Sequence, residues 1–95
     1  MPKIKLSNRF IHGYKKLPPD IKAKVDKQLV FLSENPLHPS LQTKPIQGAP
    51  GIYEARIDKY YRLTYQRLPG DILLLRVVGR HDDTLKNPWG YGVTW

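Results

Sequence analysis

Ninety-five residues leave room for one domain, residues 1–95, and a hydrophobic fraction of 40% suffices to cover one sheet with a helix or two. The absence of cysteine excludes disulfides and thiolate metal sites, and no apolar run approaches a membrane span or the core of a signal peptide, so a cytoplasmic protein with no membrane association is expected. Sixteen Lys and Arg against eight Asp and Glu give a formal charge of +8, which points to an anionic partner.

Lys3-Ile4-Lys5-Leu6 alternates polar and apolar residues and reads as a short strand. Ser7 or Asn8 can cap a helix over about residues 8–16, with Phe10, Tyr14 and Leu17 at helical spacing and Gly13 as its weak point. Leu17-Pro18-Pro19-Asp20 stops that helix and starts another, because proline is tolerated in a first turn and an acid there complements the helix dipole. Ile21, Val25, Leu29 and Leu32 then form an apolar stripe, and the helix ends at Asn35-Pro36. Residues 36–51 hold four prolines and two glycines, which makes them a long connecting loop.

Three strands follow, over residues 52–58, 60–68 and 72–80, with Pro69-Gly70-Asp71 as a turn between antiparallel partners. The expected fold is α+β, in the order β-α-α-β-β-β, an antiparallel sheet with two N-terminal helices packed on one face. Period-2 counting puts Tyr53, Ala55 and Ile57 with Tyr61, Leu63 and Tyr65 on the apolar side. Glu54, Arg56 and Arg62 fall on the other side, which would be an open surface if the helices cover the first. Those charges are either an ordinary solvated face with a Glu54–Arg62 pair, or an arginine site for phosphate, whose oxygens suit the planar guanidinium.

The third strand is nearly continuous in apolar residues and so central; parity groups Arg76 with Ile72, Leu74, Val78 and Arg80, lining up cations on one side. His81 follows at the strand end, able to exchange a proton near neutral pH, though a histidine there also has a plain reading as a surface residue. Parity sets it opposite Arg80, so a twist or bulge is needed to bring it to the cationic side. His12, His38 and His81 lack metal-ligand spacing, and Gly48-Ala49-Pro50-Gly51 lacks the lysine and helix of a nucleotide loop, so neither metal nor cofactor is expected. Residues 84–95 read as an irregular aromatic tail; Trp89, Tyr91 and Trp95 would stack on unpaired bases, cover the core or dock on a partner.

Gly51-Ile52-Tyr53-Glu54-Ala55-Arg56-Ile57, then Tyr61-Arg62-Leu63-Thr64-Tyr65 and a strand ending Gly79-Arg80-His81, resemble the RelE/ParE toxin superfamily of bacterial type II toxin–antitoxin systems over about residues 3–83. The resemblance implies a RelE-like fold and an mRNA interferase that cleaves messenger RNA on the ribosome without a metal, inhibits translation and is held by a cognate antitoxin. It implies catalytic roles for His81, as acid or base, and for Arg62 and Arg56 at the scissile phosphate. Lys44 would be a further phosphate contact, and Arg76, Arg80 and Tyr91 complete the proposed RNA-contacting set. In many members a tyrosine or basic residue on a C-terminal helix completes the site, whereas a Pro/Gly/aromatic tail stands in that place here. A ParE-like inhibitor of DNA gyrase, or a silent member that only binds RNA or an antitoxin, are the alternatives.

Overall fold

Lys3–Leu6 form strand β1, and Ser7 turns the chain into helix α1, Asn8–Lys15. The Ser7 hydroxyl accepts the Phe10 N–H at 3.1 Å, as an N-cap should, and donates to the Arg76 carbonyl at 3.1 Å, so the cap also ties the helix start to the sheet. Helix α2, Pro19–Glu34, begins with proline and Asp20 in its first turn and stops at Asn35, whose extended backbone precedes Pro36. After a single 3₁₀ turn at Pro39–Leu41 come a two-residue strand β2, Lys44–Pro45, and strands β3, Ile52–Arg56, β4, Tyr61–Leu68, and β5, Ile72–Arg80. A short helix α3, His81–Lys86, closes the ordered sequence of elements in this computed structural model, which describes residues 1–90.

The fold class is the expected α+β, with one correction to the sheet. Its order is β1-β5-β4-β3-β2, and β1 lies parallel to β5, while the other neighbours are antiparallel. The parallel pairing follows from connectivity, because the two helices between β1 and the rest provide the long crossover that parallel neighbours require. Gly70 and Asp71 in the β4–β5 turn take positive φ values of 83° and 59°, the left-handed backbone that tight hairpins favour and that Gly and Asp tolerate.

One face of the sheet carries the main core. Phe10, Ile21, Val25 and Leu32 from the helices and Leu17 from the turn between them bury against Ala55, Leu63, Tyr65, Leu73, Leu75 and Val78. Gly13 sits where α1 crosses β5: a Cβ there would lie 2.8 Å from the Val78 carbonyl oxygen, so the residue that weakens the helix permits its close approach. Gln28 occupies the buried stripe of α2 in register with Ile21, Val25 and Leu32, and its amide donates to the Ser40 carbonyl at 3.0 Å and the Arg56 carbonyl at 2.6 Å. A buried amide is thereby satisfied while stapling the loop and the end of β3 to the helix.

The second face is not open, contrary to the expectation from strand alternation. Residues 84–86, placed by composition in an irregular tail, belong to α3, and α3 with residues 87–90 lies across this face. Thr64 donates its hydroxyl to the Pro88 carbonyl at 2.7 Å, and Thr64, Val77 and Thr84 are buried. Gly90, at φ 77°, presses so close to Arg9, Val77 and the Arg76 carbonyl that no side chain would fit. Among the described residues no helix is long and apolar enough to cross a membrane.

Candidate functional site

The β3–β4 register aligns Arg56 directly with Arg62, and Arg62 in turn with Gly79 on β5. Two guanidinium groups thus share one face at the end of the sheet where the β3–β4 turn and the start of α3 meet. Like charges set directly across a ladder are unfavourable, and the arrangement gains stability when an anion lies between them. Arg62 is three-quarters or more shielded, with a side-chain exposure of 15%, and its Nη1 donates to the carbonyls of Asp58 and, at 2.9 Å, Tyr61. Its Nη2 remains for another acceptor. Arg56 is half-buried, and its side chain has no hydrogen-bond or ion-pair partner among the described residues.

Glu54 moderates this charge. Its carboxylate, only 4% exposed, lies 3.5 Å from the Lys44 ammonium and 4.0 Å from Arg62 Nε. The pairing with Arg62 is diagonal, because the residue directly opposite Glu54 is Thr64. Lys44, on β2, is brought to Glu54 by the β2–β3 register and borders a depression of about 400 Å³ shared with Pro45, Ile46, Gln47 and Leu85. The segment after α2 therefore brings Lys44 to Glu54, which holds it beside the arginine face.

Asp58 builds the turn that presents Arg62. Its Oδ1 accepts the N–H groups of Tyr60 at 2.8 Å and Tyr61 at 3.0 Å, and Oδ2 meets Lys24 Nζ at 3.2 Å. Burial is the largest influence on this carboxyl and pulls its pKa upward, but the two N–H donors and Lys24 together outweigh it, leaving the pKa below the ordinary aspartate value. From the sequence Asp58 reads only as part of the break between two strands, and Gln28 is not singled out. An aspartate at a strand-to-strand turn and a glutamine on an apolar helical stripe are the signals that mark them.

The remaining expected residues divide. A register shift between Thr64 and Tyr65 leaves Arg76 as the extra residue of a β-bulge on β5. Beyond the bulge the parity reverses: Val78 enters the main core and Arg80 aligns with Tyr61, so Arg76, Val78 and Arg80 do not share a side as counting suggested. Arg76 is engaged by its own chain, donating Nε to the Trp89 carbonyl at 3.0 Å, with its guanidinium 5.6 Å from the Trp89 ring. The same reversal sets Gly79 and not Arg80 on the Arg62 side. His81 heads α3, with its N–H on the Tyr60 carbonyl at 2.8 Å and its Nδ1 3.5 Å from Asp82. It lines a concavity of about 260 Å³ with Lys59, Tyr60, Arg80, Asp82 and Asp83, apart from the depression at Lys44. Tyr91 and Trp95 lie outside the described residues.

No protein-family model and no curated protein matches the sequence. Solved structures do. A chain of the toxin–antitoxin complex RelBE2 from Mycobacterium tuberculosis aligns with 26% identity over 85% of this chain and 100% of its own, with a TM-score of 0.71. A chain of the intact RelBE toxin–antitoxin complex from E. coli shares 22% identity over 84% and 96%, with a TM-score of 0.68. The YoeB/ParE toxin from Agrobacterium tumefaciens shares 17% over 83% and 98%, with a TM-score of 0.71.

Proposed function

We propose that this chain, which belongs by fold to the RelE/ParE toxin superfamily, is the toxin of a type II toxin–antitoxin pair and a ribosome-dependent, metal-independent mRNA endonuclease. The observation that carries the reading is the direct opposition of Arg56 and Arg62, one pinned by backbone carbonyls and the other unpaired among the described residues. A guanidinium pinned by carbonyls with a second one aligned across from it suits the charge that builds on a phosphate in transfer.

In this reading the 2′-hydroxyl of a ribose attacks the adjacent phosphorus. The 2′-oxygen–phosphorus bond forms, the bond to the 5′-oxygen breaks, and the products are a 2′,3′-cyclic phosphate and a free 5′-hydroxyl. One proton leaves the attacking hydroxyl and one reaches the leaving oxygen; His81 carries one of these transfers. Arg56 and Arg62 stabilise the transition state, and Lys44 and Arg80 hold flanking phosphates. Arg76, whose guanidinium is committed to Trp89, contributes to the architecture of the site before it contributes to RNA contact, and Tyr91 stays in the proposed RNA-contacting set. The partner that restrains the activity is a cognate antitoxin, in keeping with neighbours solved as toxin–antitoxin complexes.

The test is to incubate the purified chain with ribosomes programmed with a defined mRNA and to map the ends by primer extension. Cleavage is expected in the wild type, with a loss of about 100-fold or more in Arg62→Ala and His81→Ala. Growth arrest in a bacterial host with intact mRNA would overturn the nuclease reading, and gyrase inhibition in the same cells would put a ParE-like poison in its place.

A further inference from the structure

The concavity at the head of α3 contains a group that the cleavage reading does not use. Tyr60 is 55% exposed, a large ring turned outward at the tip of the β3–β4 turn. Its backbone is held there, because the Asp58 carboxylate accepts the N–H groups of both Tyr60 and Tyr61 and is itself anchored by Lys24. The ring is flanked by two cations, Lys59 Nζ at 5.6 Å and the Arg80 guanidinium at 5.8 Å from its centroid. The exposed Arg80 guanidinium also lies 5.7 Å from the centroid of the Tyr61 ring. The rest of the lining is polar: His81, with Nδ1 3.5 Å from Asp82, and Asp83.

We propose that this concavity is a nucleobase-stacking subsite for unpaired RNA, with Tyr60 as the platform and Lys59 and Arg80 as the contacts for the phosphates on either side of the stacked base. It rests on the reading of the chain as RNA-directed and adds a place where a base, and not only the backbone, is held. Lys59 and Arg80 lie over the exposed ring in the free chain and would turn from it to the phosphates as a base stacks, since every base offers a π-face and every nucleotide a phosphate. The acids orient the nucleotide: Asp82 and Asp83 repel its phosphates toward Lys59 and Arg80 and leave their own oxygens for amino or imino donors on the base edge. The Asp58 turn fixes the backbone of Tyr60, so less freedom is lost there when a base stacks on the ring.

The subsite is tested with a short, fluorescently labelled 2′-O-methyl oligoribonucleotide, which binds but lacks the attacking hydroxyl, so affinity is read whether or not the chain cleaves. Tyr60→Ala should weaken binding by about 5- to 150-fold, the loss of one stacked base. Tyr60→Phe and Tyr60→Trp should bind like the wild type, and the new tryptophan should be quenched on titration. Lys59→Ala should lower the slope of log affinity against log salt by about one phosphate contact. Wild-type affinity in Tyr60→Ala, an unquenched Tyr60→Trp, or no binding by the wild type would each overturn the proposal. Tyr60-dependent binding without mRNA cleavage would remove the nuclease reading and leave the subsite, whereas cleavage with Tyr60-independent binding would do the reverse.

Discussion

The two faces of the sheet are built by different rules. On the helix side, Leu63 and Tyr65 lie in a cluster supplied by α1, α2 and four strands, and no charged side chain belongs to it. On the other side, Thr64 and Val77 are equally buried but lie among Glu54, Arg62 and a short C-terminal cover that approaches through backbone groups, the Pro88 carbonyl and Gly90. The first face is held by apolar area. The second holds charge in place, and the hydrogen bonds and ion pairs that do so contribute less to stability per residue.

Adjacent substitutions on β4 break this comparison most directly. Leu63→Ala opens a cavity in the main core and should cost about 2–5 kcal/mol. Thr64→Val, one residue on and facing the other way, keeps its shape, loses the bond to Pro88 and should cost only about 1 kcal/mol. Chemical denaturation of both variants tests the contrast, and equal costs would show that the C-terminal cover is as much a core as the helices.

Gly13→Ala comes between the two. Its new methyl group would meet the Val78 carbonyl, and the forced shift of α1 should cost about 1–3 kcal/mol, offset by about 1 kcal/mol of better helix propensity. A gain in thermal stability would mean that α1 can lift off β5 freely.

The smallest effect is a pH dependence. The Asp58 pKa is depressed in the folded chain, so its contribution to stability is present above the unfolded value of 3.8 and is lost as pH falls below that through the folded pKa. Asp58→Asn should be less stable than the wild type near neutral pH and should approach it in acid, as a series of denaturation curves would show. A constant gap at all pH values would mean that Asp58 acts through shape alone.

Much of this was legible beforehand in particular residues. The α2 stripe of Ile21, Val25 and Leu32, the Ser7 cap, the proline boundaries and the alternation that sends Leu63 and Arg62 to opposite sides all follow from local chemistry and short periods. Gly13 shows where such reading ends: its helix penalty is visible in the chain, but its purpose lies in β5, sixty-five residues away. Arg76 shows the same limit, because a single bulge reverses the parity of every later residue in its strand, and bulges are set by how two strands share hydrogen bonds.

By itself, then, the sequence determined β1, α1, α2 and β3 to β5, the apolar face and the cationic character of the other, because these depend on backbone sterics and on periods of two and 3.6 residues. Only the tertiary structure decided that β1 runs parallel to β5, that α3 covers the charged face, that Glu54 lies between Lys44 and Arg62, and that Arg56 and Arg62 stand opposite one another. Those outcomes depend on register and on contacts between distant segments, whose free energies are sums over both partners and leave no mark on either segment alone.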